Sequence, residues 1–127
     1  MAVDKRTPIL VVDDYKTMVR IVRNLFHQLG FEDVDEANDG ASALAKLRAR
    51  RFGLVISDWA MEPMNGLELL QQVRAEAELK ALPFIMITAE NRKDRVAKAE
   101  QAGANCYIVK PFNAQTLSDR IALVMGG

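Results

Sequence analysis

Short apolar runs alternate with amphipathic stretches along the whole chain, and few folds accommodate that alternation. Four runs stand out: Ile9-Leu10-Val11-Val12, Leu54-Val55-Ile56-Ser57, Phe84-Ile85-Met86-Ile87 and Tyr107-Ile108-Val109. Runs of this length bounded by polar turns read as buried strands. A fifth, half-polar run covers Val34 to Ala37. Between the runs the spacing becomes helical. Met18, Ile21, Val22, Leu25, Phe26 and Leu29 repeat at helical intervals, and Gly30 is a C-terminal stop. Asp39 can cap a helix whose Leu44 and Leu47 face inward. Leu67, Leu70, Val73 and Ala77 mark a third helix. Asn91 can cap a fourth, ending near Gly103. Asn113 can cap the last, with Leu117, Ile121, Val124 and Met125 on one face.

The pattern is β-α repeated five times, which predicts an α/β fold. Its parallel sheet carries helices on both faces, joined by right-handed crossovers. The first, third and fourth strands are continuously apolar, as central parallel strands should be, and the mixed second strand belongs at an edge. This supports a doubly wound (βα)5 sheet of order 2-1-3-4-5. Ligands in such sheets bind outside the carboxyl ends of the strands, where the chain reverses direction between strands 1 and 3.

Asp13, Asp14, Asp58, Thr88 and Lys110 each sit at the end of an apolar run, so parallel strands would bring them to one edge. Adjacent carboxylates repel, and burial worsens the repulsion. Asp13-Asp14 alone would read as a turn or helix cap. With Asp58 added, three acidic groups plus waters and a main-chain carbonyl suit the oxygen octahedron of Mg²⁺, with Mn²⁺ as a substitute. Asp58 could serve only as a ligand, or it could attack phosphorus and form an aspartyl-phosphate. That attack needs charge compensation, which the Lys110 ammonium, the Thr88 hydroxyl and the cation can share. Trp59, the only tryptophan, adjoins Asp58 and would report on the site. The only histidine, His27, reads as a helix-surface residue rather than a phosphoryl carrier. The basic run Arg92, Lys93, Arg95, Lys98 reads as a solvated helix face.

Composition narrows the classes further. The 127 residues suffice for one domain over 1–127. Lys plus Arg and Asp plus Glu balance at 17 each, which gives no bulk charge for nucleic acid or a membrane surface. One cysteine, Cys106, excludes an internal disulfide and fits a reducing compartment. No apolar stretch is long enough to span a bilayer, and the first residues lack a signal-peptide core. A cytoplasmic protein is expected.

At these residues the chain resembles the receiver domains of two-component response regulators, and among them the single-domain, CheY-like chemotaxis regulators. The resemblance rests on Val11-Val12-Asp13-Asp14, Ser57-Asp58-Trp59, Thr88-Ala89-Glu90, Gln101-Ala102-Gly103-Ala104 and Tyr107-Ile108-Val109-Lys110-Pro111-Phe112. The order 2-1-3-4-5 is a known property of that flavodoxin-like, CheY-like fold rather than a feature peculiar to this chain. The resemblance implies that Asp58 accepts a phosphoryl group from a histidine kinase. It implies that Asp14, Asp58 and the carbonyl of Ala60 bind Mg²⁺ directly, with Asp13 acting through water. Thr88 and Tyr107 would couple phosphorylation to a face made by the fourth helix, fifth strand and fifth helix, including Arg92, Lys93, Val96 and Val109. Lys110 would bridge to the phosphoryl group. The chain would catalyse its own phosphorylation and dephosphorylation, act as a monomer, and signal by binding a protein such as a flagellar motor switch component.

Two departures from the family pattern bear on timing. Chemotaxis regulators often carry asparagine where this chain has Ala60, and the usual Met-Pro pair becomes Met61-Glu62-Pro63-Met64. Ala60 and Glu90 would flank the path of a hydrolytic water and tune the lifetime of the phosphorylated form. The alternative function is a phosphate sink or relay shuttle with the same chemistry. A phosphatase of the haloacid dehalogenase type would need a carboxylate at position 60. A flavin carrier would need a Ser/Thr/Gly-rich loop in place of Asp13-Asp14-Tyr15-Lys16, and the Rossmann glycine fingerprint is missing.

Overall fold

The computed structural model describes residues 3–89 and 93–126. Five strands form one parallel sheet: β1 (Ile9–Val12), β2 (Val34–Ala37), β3 (Leu54–Asp58), β4 (Phe84–Thr88) and β5 (Cys106–Val109). Their order is β2-β1-β3-β4-β5, with β2 at one edge as its mixed sequence requires. The helices between them are α1 (Lys16–Gln28), α2 (Gly40–Ala49), α3 (Gly66–Ala75), α4 (Lys93–Ala102) and α5 (Ala114–Ile121). The chain after α5 continues with π-helical hydrogen bonding over Ala122–Gly126.

Every residue of β1, β3 and β4 is buried, because helices cover both faces of the sheet. Alternate side chains therefore feed two cores. One holds Leu10, Val12, Val55, Leu70, Phe84 and Met86. The other holds Ile9, Val11, Phe26, Ile56, Ile85 and Ile108. Each such side chain removed from water stabilises the fold by roughly 1.5–3 kcal/mol before entropy is counted.

The caps act as the sequence indicates. Asp39 accepts from the Ser42 N–H at 2.7 Å, and Asn113 from the Thr116 N–H at 2.9 Å. At the start of α3, Asn65 and Glu68 form a reciprocal capping box. Gly30 and Gly103 take positive φ after α1 and α4, which stops each helix. The expected cap Asn91 lies outside the described residues.

Three expectations need correction. Ile21 is 47% exposed while Val19 is buried, so Val19 takes the place of Ile21 in the inward stripe of α1; Val22 and Phe26 are buried as expected, with Met18, Leu25 and Leu29 packed beside them. The third helix ends at Ala75 rather than reaching Ala77. Arg95, expected on a solvated face with Arg92, Lys93 and Lys98, is half-buried; Lys93 and Lys98 are exposed, and Arg92 lies outside the described residues.

The end of the sheet away from the strands' carboxyl termini is fastened by one side chain. Arg74, on the last turn of α3, donates to the Gly103 carbonyl from Nε (3.1 Å) and Nη2 (2.8 Å). It also donates to the Leu82 carbonyl from Nη1 (2.7 Å) and to Asn105 Oδ1 from Nη2 (3.1 Å). Asn105 Oδ1 in turn accepts the Phe84 N–H at 2.8 Å. One guanidinium thus ties α3, the start of β4 and the turn into β5.

Candidate functional site

Parallel pairing sets the positions of the acidic side chains. β1 lies between β2 and β3, with Val12 beside Ser57. The residues that follow, Asp13 and Asp58, therefore leave the sheet side by side. Asp13 N–H donates to the Ala37 carbonyl at 3.2 Å, which carries the pairing one residue past the strand. β4 lies beside β3 and β5, with Thr88 opposite Val109, and Lys110 N–H donates to the Thr88 carbonyl at 2.7 Å.

The five expected residues meet at this edge. Ligand atoms of Asp13, Asp14 and Asp58 all lie within 4.8 Å of one another. Lys110 Nζ lies 3.0 Å from Asp58 Oδ1 and 3.8 Å from Asp13 Oδ2. Asp13, Asp58 and Thr88 are buried, whereas Asp14 is exposed. Burial raises the Asp13 pKa from the ordinary carboxylate value to about 6. The Tyr15 N–H, which donates to its Oδ1 at 3.0 Å, works against that rise; Asp58 adds to it, Lys110 opposes it and Asp14 adds again. A buried carboxyl group held so far up binds protons where an ion would relieve it. The donor set, three carboxylates and no thiol or imidazole, suits a hard divalent cation.

One glycine makes the close approach at this edge feasible. A Cβ on Gly66 would press on the Asp58 carbonyl oxygen and would lie 2.9 Å from Trp59 Cα. Hydrogen there lets α3 begin directly beneath the site, with the Gly66 N–H donating to the Trp59 carbonyl at 2.9 Å. Sequence reasoning passed over this role, since a glycine opening a helix carries no local sign of what lies against it.

Ala60, expected to offer its carbonyl, is exposed two residues beyond Asp58. Glu90 lies outside the described residues. Both the Glu62–Pro63 and Lys110–Pro111 peptide bonds are cis. Trp59 is 6% exposed, so it belongs to the core as well as to the site. Tyr107, Val96 and Val109 are half-buried and line a cleft of about 580 Å³ between α4, β5 and α5, with Phe112 and Arg120. Lys93 is exposed at the start of α4 and does not line that cleft. His27 is exposed, as expected, on α1.

The model of the response regulator receiver domain matches residues 9–122. The chain belongs to the response regulator receiver family. This receiver is 49% identical over 118 residues to the chemotaxis protein CheY-3 of Vibrio cholerae, covering 93% of this chain and 91% of that one. It is 49% identical over 113 residues to the chemotaxis protein CheY of Pseudomonas aeruginosa, covering 89% and 91%. A solved structure of CheY4 of Vibrio cholerae superposes with a TM-score of 0.88 at 34% identity, covering 94% of this receiver and 99% of that chain. Among the described residues, no helix is long and apolar enough to cross a membrane.

Proposed function

We propose that the chain is one receiver domain over 1–127, a cytoplasmic, monomeric chemotaxis regulator phosphorylated on Asp58 by a histidine kinase. The observation that carries this reading is the 3.0 Å approach of Lys110 Nζ to Asp58 Oδ1 inside an acidic cluster. In the transfer, an Asp58 carboxylate oxygen forms the new P–O bond as the P–N bond to the donor's imidazole breaks. Lys110 leaves its carboxylate partner to meet a phosphoryl oxygen, and the Thr88 hydroxyl meets another. Asp13, Asp14, Asp58 and the Ala60 carbonyl would hold Mg²⁺, or Mn²⁺ in its place. Such an ion, when bound, offsets charge on the phosphoryl oxygens.

Output follows from the neighbours of Thr88. Tyr107, Val96 and Val109 border the cleft beside α4, so a shift of Thr88 and α4 would alter a surface that a protein target such as a motor switch component can read. Val96→Ala or Tyr107→Ala should weaken phosphorylation-dependent partner binding while leaving phosphate uptake intact. A partner indifferent to both would favour the phosphate sink or relay shuttle.

The test of the chemistry is direct. Incubation with phosphoramidate and Mg²⁺ should add one alkali-labile phosphoryl group, and Asp58→Asn or EDTA should abolish it. Stable labelling of Asp58→Asn would overturn the assignment.

A further inference from the structure

Three elements converge on the residue after the phosphoacceptor. The Trp59 N–H donates to the Ile87 carbonyl at 2.8 Å, and its own carbonyl accepts from Met61 (3.0 Å) and Gly66 (2.9 Å). The backbone is thus fixed from both sides, and the indole is buried in one place. Tyr107 of β5 meets the ring edge-on, with centroids 6.4 Å apart and planes at 76°. Arg95 of α4 lays its guanidinium carbon 5.0 Å from the ring centroid.

The Arg95 contact matters because α4 is lightly held. Ala99 is its one fully buried residue among those described, and only Arg95, Val96 and Ala102 are half-buried. Helices α1, α2 and α3 each bury several apolar side chains, and α5 buries Leu117 and Ile121. A helix with so little apolar anchorage takes an appreciable part of its positional preference from a single cation–indole contact. That contact sits in the first turn of α4, and its aromatic partner is bonded directly to Asp58.

We propose that Arg95 is a positioning residue of the switch, whose stack on Trp59 ties the first turn of α4 to its resting place. The inference rests on the reading of Asp58 as phosphoacceptor. The coupling is reciprocal: a contact made only in the resting form favours that form, so its removal favours phosphorylation. Arg95 is placed here as a residue that acts through Trp59, not as one that carries the chemistry.

The experiment measures the rate of phosphorylation by phosphoramidate, followed by intact mass and by Trp59 fluorescence. Arg95→Ala should raise the rate about threefold and shrink the fluorescence change on phosphorylation, in keeping with the strength of one cation–indole contact. Arg95→Gln, planar but uncharged, should behave like Arg95→Ala. Arg95→Lys, which keeps the charge, should fall between them and the native chain. A merely structural role would lower the melting temperature and leave rate and fluorescence amplitude unchanged; that result overturns the inference. If the unsubstituted chain takes up no phosphoryl group, the reading of Asp58 fails and this inference with it. If it does, and the Arg95→Ala and Arg95→Gln rates match it, this inference alone fails.

Discussion

Lys110 Nζ lies 3.0 Å from Asp58 Oδ1, and both side chains are largely withdrawn from water. A pair placed this way is costly to break from one side, since the remaining charge stays buried without its partner. Lys110→Ala should therefore lower stability by roughly 1–3 kcal/mol at neutral pH. The loss should shrink in acid, where Asp13 is protonated and the cluster carries less charge. Urea unfolding at pH 5 and pH 7.5 would measure both; equal losses would contradict the account.

The pKa of Asp13 sets a second pH dependence. Its folded value is about 6, above the unfolded value of 3.8. The stabilisation from this group is complete below pH 4 and fades as pH rises through 6, because the unfolded chain then ionises more readily than the native one. Without metal, stability should fall by on the order of 2 kcal/mol between pH 4 and pH 7 from this group. Millimolar Mg²⁺ should offset the fall above pH 6 by binding only the native state. Asp13→Asn should flatten the slope, and Asp14→Ala should remove the Mg²⁺ response. Thermal unfolding with EDTA or Mg²⁺ would read all four arms.

A substitution at Ala60 tests the timing expected of this site. That residue is exposed beside Asp58 and its methyl group neither blocks nor orients water. Ala60→Arg should lengthen the lifetime of the phosphorylated form several-fold, about 1 kcal/mol in the barrier. Phosphorylation should persist, since the backbone carbonyl is unchanged. Trp59 fluorescence after donor removal would follow the decay, and an unchanged rate would show that water does not pass residue 60.

At the opposite end of the sheet, Arg74→Ala removes four hydrogen bonds and leaves the Gly103 and Leu82 carbonyls short of donors. A loss of roughly 2–4 kcal/mol is expected, with Asp58 phosphorylation retained at temperatures where the chain stays folded. Denaturant titration beside a phosphorylation assay would separate the two effects.

How much could be read in advance depends on how local each signal is. The strand runs, the Asp39 and Asn113 caps and the stop at Gly30 each need only a few neighbouring residues, and all are present. The acidic cluster and its lysine were legible because parallel strands carry their ends to one edge, so Asp13, Asp14, Asp58 and Lys110 needed no further information to meet. One position in the stripe of α1 was misjudged because apolar residues crowd that helix. Whether Val19 or Ile21 turns inward depends on where β1, β2 and α5 lie. Arg74 and Gly103 are 29 residues apart, and nothing in either segment announces the other. Arg95 looked like its basic neighbours; only the placement of Trp59 distinguishes it.

The Arg74 clamp also gives α4 a fulcrum. Its C-terminal end is pinned through Gly103, while its first turn rests on an aromatic ring. Ten residues at 1.5 Å each make a lever roughly 15 Å long. A tilt of about 10° at the pinned end carries Lys93 through roughly 2–3 Å, by that length. Displacement along α4 therefore grows with distance from the Gly103 end, and the turn that moves farthest is the one that meets Trp59.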